Sequence, residues 1–197
     1  MKLVAVIVAG GRSARMGREK AFEPIGGVTI LDRIISRLAP QAARIVINAN
    51  GAAERFRSTG LPVVGDLRPD AATPLAGLHT ALHLAKAEAF EAVLTVPSDA
   101  PFLPADLAIR LVSAGRAAAI AVSAGQSHYL TGLWSTALLP GVARALDEPR
   151  IPRLQDWAAQ CGAVAVTWPT EPYDPFFNVN TPRELAEAQR IAAEFMP

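Results

Sequence analysis

Val4–Lys20 reads VAVIVAGGRSARMGREK, an apolar, β-branched run that passes without a break into Gly10-Gly11 and on to Ser13, Arg15, Met16, Gly17 and Lys20. A buried strand that feeds a glycine turn and then spaced cations offers backbone N–H groups and positive charge to a triphosphate. The glycines let main chain approach a ligand with no Cβ in the way. The cations offset charge on phosphate oxygens. No GK[ST] closes the stretch, so it is not a P-loop, and Gly10, Gly11 and Gly17 do not fall in G-x-G-x-x-G spacing. Taken alone, the same residues also read as a first strand followed by a surface loop with ordinary exposed Arg and Lys. The rest of the chain has to decide.

Further apolar runs recur at Leu3–Ala9, Arg44–Asn48, Leu61–Val64, Ala92–Val96, Ala117–Val122 and Ala163–Val166. Most are continuous Val/Ile/Ala/Leu runs without polar alternation, which suits strands buried on both faces of a parallel sheet. Helical periodicity fills the gaps between them. Ile30, Ile34, Ile35 and Leu38 share one face after Thr29; Leu75, Leu78, Leu82 and Ala85 share another; Leu107, Leu111 and Val112 a third. Thr181-Pro182-Arg183-Glu184 places a hydroxyl at N-cap, proline at N1 and glutamate at N3, the signature of a capping box. No Ser/Gly linker or repeat divides the chain. The expectation is α/β: a single three-layer αβα domain over residues 1–197 with a mainly parallel, Rossmann-like sheet.

Ligands in such sheets bind beyond the carboxyl ends of the strands, and Gly10, Asn48, Asp66 and Asp99 all stand at or just after the ends of apolar runs. Asp99, in Val96-Pro97-Ser98-Asp99-Ala100-Pro101, is a carboxylate at a strand tip between two prolines. It reads either as an oxygen ligand for Mg²⁺ beside a polyphosphate or as a cap of the turn before a helix near Pro104. Asp66 reads as a ligand contact or a turn former. Asn48 offers donor and acceptor to a ribose or base edge, or forms an Asx-turn. Pro74–Leu78 opens a helix whose free N–H groups can face an anion, while small Ala76 and Gly77 equally suit close helix–sheet packing. His128 stands at the entry to a strand, where it can meet substrate.

Other patterns carry less. His79 and His83 have the i,i+4 spacing of a metal pair but lack a catalytic glutamate and a third ligand. The single cysteine, Cys161, excludes an intrachain disulfide and reads as a packed thiol. A formal net charge of +1 argues against nucleic-acid binding by bulk electrostatics. No apolar run approaches the roughly 18 residues of a membrane span. The N-terminus lacks the basic region, apolar core and cleavage site of a signal peptide. No membrane association and a cytoplasmic, reducing setting are expected.

At these residues the chain resembles the nucleotidyltransferases of the sugar-nucleotide-transferase superfamily, and more narrowly the molybdenum cofactor guanylyltransferase family. The opening motif AGGxSxRMGxxK is Ala9 to Lys20, the INAN-like strand end is Ile47 to Asn50, the PLAGL helix start is Pro74 to Leu78, and the closing NVNTPEEL is Asn178 to Leu185. Related cytidylyl enzymes tend to carry alanine at Gly10 and aspartate at the asparagines. Gly10 with the Asn178-Val179-Asn180 ending therefore favours the guanylyl branch. Thr73 stands where the family has glycine, and Gly27-Val28-Thr29 replaces Gly-Lys-Pro, departures that bear on the second substrate more than on GTP.

The resemblance implies a fold of the nucleotide-diphospho-sugar transferase type and transfer of GMP from Mg·GTP to the terminal phosphate of molybdopterin, with release of pyrophosphate. It implies Val8, Ala9, Gly10 and Gly11 as main-chain contacts to the nucleotide, and Lys20, Asn48, Asp66 and Asp99 in the GTP site. Asp99 would bind Mg²⁺, and Arg15 and Lys20 would bear on the phosphates. Asn178 and Asn180 would order the far side of the site, with Asn180 beside or on the metal. Cofactor-delivery proteins are implied as further partners. The rival readings are a cytidylyltransferase on the same cofactor, a transferase on a sugar phosphate, and a non-catalytic pterin-cofactor binding protein.

Overall fold

The computed structural model describes residues 1–9, 20–51 and 53–195. In chain order the elements are β1 (Leu3–Val8), the hairpin β2 (Pro24–Ile25) and β3 (Val28–Thr29), α1 (Ile30–Leu38), β4 (Arg44–Asn48), β5 (Val63–Val64), α2 (Pro74–Ala87), β6 (Ala92–Pro97), α3 (Leu107–Ser113), β7 (Ala118–Ser123), β8 (Gln126–Ser135), α4 (Leu139–Leu146), α5 (Leu154–Gln160), β9 (Val164–Thr167) and α6 (Pro182–Phe195). Seven strands form one sheet in the order β5-β4-β1-β6-β8-β7-β9. All run parallel except β8, which is antiparallel to both of its neighbours, β6 and β7.

The unbroken apolar runs are explained by two cores, one on each face. Along β1, Leu3, Ala5 and Ile7 enter one core while Val4 and Val6 enter the other. The period-2 geometry of a strand requires both sets to be apolar when both faces are covered. Ile30, Leu31, Ile34 and Leu38 of α1, Leu107 and Leu111 of α3 and Ala188, Ile191 and Ala192 of α6 fill the first core. Leu75, Leu78, Leu82 and Ala85 of α2, with Val142, Leu146 and Trp157 from α4 and α5, fill the second. The three-layer α/β arrangement is therefore as expected.

Some boundaries differ from the sequence reading. The run Leu61–Val64 yields only Val63–Val64 as strand, because Pro62 has no N–H to give a ladder; its carbonyl still accepts from Ile47 at 2.9 Å. The long strand β8 has no clean pattern in QSHYLTGLWS. Its pairing with β7 steps from Ala121↔His128 to Ile120↔Gly132, so Tyr129 to Thr131 bulge out with no counterpart. Gly132 sits where a Cβ would come within 2.9 Å of the Ala119 carbonyl. The capping box of α6 forms with a shift: Thr181 Oγ1 accepts from Glu184 N–H at 3.2 Å, while Glu184 Oε2 accepts from Asn180 N–H, one residue ahead of the cap. Among the described residues no helix is long and apolar enough to cross a membrane.

Trp134, 1% exposed, donates its indole N–H to Thr95 Oγ1 at 2.8 Å, and Thr95 passes its own proton to the Gly132 carbonyl at 3.3 Å. Thr95→Val keeps the shape but leaves a buried N–H without an acceptor. A loss of about 1–3 kcal/mol in urea unfolding is expected, with m unchanged.

Candidate functional site

Three parallel strands end level with one another. Val8 pairs with Asn48 on one side and with Pro97 on the other, so β4, β1 and β6 deliver Asn48, Ala9 and Ser98-Asp99 to the same edge. Ala9 N–H donates to Asn48 O at 2.8 Å and Ser98 N–H to Val8 O at 3.2 Å. The chain passes from β1 to β4 and β5 on one flank and then returns to β6 on the other. That reversal is the switch point at which open α/β sheets bind ligands.

Beyond β4 and β5 the polar side chains interlock. Asn48, 3% exposed, donates to Asp66 Oδ1 at 2.9 Å and to Val64 O at 3.3 Å. Asn50 donates to Asp66 Oδ2 at 2.6 Å, and its own oxygen accepts from Asp66 N–H at 2.8 Å. Each carboxylate oxygen of Asp66 thus takes one carboxamide proton and keeps further acceptor capacity. Helix α2 passes so close that a Cβ on Gly77 would lie 2.7 Å from Asn48 Oδ1. Close helix–sheet packing therefore sets glycine there. Thr73 caps the same helix by accepting from Leu75 N–H at 3.4 Å.

Asp99 does not cap α3; Asp106 occupies the N-cap position there. Its carbonyl instead accepts from Val179 N–H at 2.9 Å, which fastens the C-terminal loop to the tip of β6. Its Oδ1 is buried and has no hydrogen-bond partner among the described residues. Burial pushes the carboxyl above its usual range. Lys20 and the residue's own backbone N–H pull it back, and Glu184 adds to the rise; burial wins. Lys20 is fixed by donating to Asn180 Oδ1 at 2.8 Å across 160 residues of sequence, and Asn180 is fixed by Glu184.

Two clefts open along this edge and meet at Pro74 and Leu130. The larger, about 630 Å³, is bounded by Val8, Ala9, Asn48, Asp66, Thr73 and Gly77, with Asn50 and Arg55 also reaching it. The smaller, about 340 Å³, is bounded by Asp99, Asn178, His128, Gln126, Tyr129 and Arg153. The structure thus gathers Val8, Ala9, Asn48 and Asp66 in one cleft and Asp99, Asn178 and His128 in the other, with the Lys20–Asn180 pair coupled to Asp99 by charge. Gly10, Gly11 and Arg15 lie outside the described residues.

Asn50, at the INAN strand end, and Arg55 line the larger cleft and Arg153 the smaller without having been assigned a role from sequence; the two arginines carry no local signal. Gly27, Val28 and Thr29 border neither cleft; Thr29 N-caps α1 by accepting from Asp32 N–H at 3.0 Å. His79 and His83 lie with rings 6.4 Å apart on α2, and among the described residues no group of three or more His, Cys, Asp or Glu side chains is placed to hold a metal. Cys161 caps α5 with its thiol pushed up by burial.

Known proteins share the sequence family and the fold. A family model described as the MobA-like NTP transferase domain matches residues 5–165. The molybdenum cofactor guanylyltransferase of Nitrobacter hamburgensis is 47% identical over 196 residues, covering 95% of this chain and 93% of its own. That of Rhodobacter capsulatus is 43% identical over 192 residues, 96% of each. Among solved structures, the molybdopterin-guanine dinucleotide biosynthesis protein A from Archaeoglobus fulgidus has a TM-score of 0.75 at 23% identity, covering 98% of this chain and 100% of that one; this likeness shows the fold.

The raised carboxyl of Asp99 has a consequence for stability. A carboxyl harder to ionise in the folded state costs stability as pH climbs above its ordinary value of 3.8 and through its folded value, because the native state then holds the extra proton. Asp99→Asn removes that cost. The ligand-free variant is expected to melt at the same temperature as the parent near pH 3.5 and a few degrees higher at pH 7.5, on the scale of about 2–4 °C per kcal/mol. Differential scanning calorimetry across that range checks it.

Proposed function

The chain belongs to the MobA-like NTP transferase family, and we propose that it transfers GMP from Mg·GTP to the terminal phosphate of molybdopterin, releasing pyrophosphate and leaving the guanine dinucleotide form of the cofactor. The reading is carried by one observation. A buried carboxylate oxygen of Asp99 has no partner among the described residues, and it stands beside a lysine that a remote asparagine holds in place.

The larger cleft takes the guanosine. Val8 and Ala9 line it, and main-chain contacts to the nucleotide are proposed at Val8, Ala9, Gly10 and Gly11. Asp66, an acceptor on both oxygens, suits the two neighbouring N–H donors of a guanine edge and does not suit the N3 and O2 acceptors of cytosine. Asn48 and Asn50 hold that carboxylate in place, and Gly77 leaves room for Asn48. The smaller cleft takes the pterin substrate.

The two substrates meet at Asp99. A phosphate monoester oxygen of the acceptor attacks the α-phosphorus. A new P–O bond forms as the α–β bridge breaks, and its electron pair leaves with pyrophosphate. The nucleophile is already anionic near neutral pH, its second pKa being about 6, so no general base is required. Positioning and charge neutralisation do the work.

Lys20, held by Asn180, bears on the phosphates, and Arg15 is proposed beside it. Asn178 contacts the acceptor. Asp99 Oδ1 fits a single hard-cation ligand position, and with no carboxylate cluster among the described residues the remaining ligands would be phosphate oxygens and waters. Mg²⁺ held there would neutralise charge on the triphosphate. Asn180 is proposed as the anchor of Lys20, and its oxygen, which accepts one hydrogen bond from that lysine, keeps a second lone pair for a place beside or on the metal. One domain, residues 1–197, is proposed to carry the whole reaction, in the cytoplasm, with cofactor-delivery proteins as further partners.

Pyrophosphate release with molybdopterin and a nucleotide panel tests the reading. GTP is expected to exceed CTP by at least about tenfold in kcat/KM, the yield of roughly 1.4 kcal/mol of discrimination. Lys20→Ala is expected to lower kcat about 10²-fold or more with the fold intact. Preference for CTP would favour the cytidylyl rival, and absence of Mg·GTP binding would favour a carrier protein.

A further inference from the structure

β7 and β8 are joined by a two-residue turn, Ala124-Gly125, with φ of 48° and 74°. Two consecutive positive φ values match the twist of a tight hairpin and pin its register. Ser123 pairs with Gln126 and Ala121 with His128, which sets Ser123 diagonally across from His128 on one face. There Ser123 Oγ lies 2.7 Å from His128 Nε2.

Ser123 is fully buried, and His128 is its only side-chain partner among the described residues. A hydroxyl has one proton to place. Were Nε2 protonated, that proton would be left without an acceptor in the interior, a loss of about 1–3 kcal/mol. Ser123 therefore donates to Nε2, and the proton of the neutral ring resides on Nδ1. Phe176, 2% exposed, packs on the imidazole at 4.9 Å between centroids and is itself met edge-on by Trp168 at 5.2 Å, which fixes the ring plane. Burial holds the imidazole below its usual pKa against the opposing pull of Asp174, so the ring is neutral in the working range. Nδ1 has no protein partner among the described residues, and it is not among the fully buried unpaired atoms.

The same cleft presents Gln126 and Gln155, which are neutral, and Arg153, whose guanidinium is already engaged by both oxygens of Asp156 at 2.8 and 3.1 Å. Apart from the Arg153 N–H groups that Asp156 leaves over, the cleft's donors are uncharged and suit a heterocycle, while the ammonium of Lys20 bears on Asp99. Resting on the reading of this cleft as the acceptor-substrate site, we propose that Ser123 locks His128 as the Nδ1–H tautomer and that this N–H donates to a carbonyl or ring nitrogen of the pterin, holding the heterocyclic end of the substrate. His128 is then a binding residue and Ser123 a positioning residue that touches no substrate.

The chain has three histidines, so ¹⁵N-histidine labelling with His128→Asn for assignment isolates the signal. The parent is expected to show His128 as the Nδ1–H tautomer at pH 7.5, and Ser123→Ala to lose that preference. Titration with 6-hydroxymethylpterin, which has no phosphate, is expected to shift the Nδ1 resonance, whereas inorganic phosphate is not. In guanylyl transfer, Ser123→Ala and His128→Gln are expected to raise KM for molybdopterin about tenfold with KM for GTP unchanged. His128→Asn, whose amide overlays Nδ1, should recover most of the loss.

An Nε2–H tautomer in the parent, or a response to phosphate and not to the pterin, overturns the proposal. A parent protein that transfers no guanylyl group would defeat the functional reading alone, because the tautomer and the pterin response are read without turnover.

Discussion

The site is organised around a carboxylate that the fold buries without fully satisfying. Taking Asp99 out of water raises its carboxyl, and the nearby ammonium of Lys20 does not restore it. A structure keeps such a group only if the surroundings fix it. Here they do: prolines at 97 and 101 bracket it, and Val179 N–H holds its carbonyl. An orphaned acceptor inside a protein is costly when the protein is alone and favourable when a cation arrives. The tension at this one oxygen is what links the fold to the chemistry proposed for it.

The C-terminal loop does more than close the chain. Between Asp174 and Thr181 it packs Phe176 on His128, hydrogen-bonds Asp99 through Val179, presents Asn178 to the smaller cleft and restrains Lys20 through Asn180. The cap of α6 holds this loop, because Glu184 reaches past Thr181 to Asn180 N–H. A helix cap is worth about 1 kcal/mol as stability. Its larger effect here is positional, since it sets a cation 160 residues away in sequence.

Much of this was legible in the sequence, for reasons that differ by element. Continuous apolar runs at Leu3–Ala9 and Ala92–Val96 marked parallel strands because both faces are covered, and Thr181–Glu184 marked its helix start by cap chemistry. Asn48, Asp66 and Asp99 stood out in the sequence as polar residues at strand tips, and in the fold they line the two clefts. What the chain did not disclose depends on register. β8 was obscured by its mixed composition and by the bulge at Tyr129–Thr131, so the antiparallel insertion and the Ser123–His128 pair stayed hidden. The hydrogen bond from Lys20 to Asn180 was not legible either, because only the folded chain brings those two residues near. Arg55 and Arg153 reach their clefts through tertiary placement alone.

The central claim is that Asp99 holds the divalent cation that accompanies the nucleotide. Mn²⁺ in place of Mg²⁺ makes that ligand directly visible: hyperfine coupling between Mn²⁺ and a ¹³C-labelled aspartate carboxyl, recorded on the Mn·GTP complex. The account predicts a coupling in the parent protein that disappears in Asp99→Asn while GTP remains bound. A coupling that persists in the variant, or is absent from the parent with Mn·GTP bound, would contradict it.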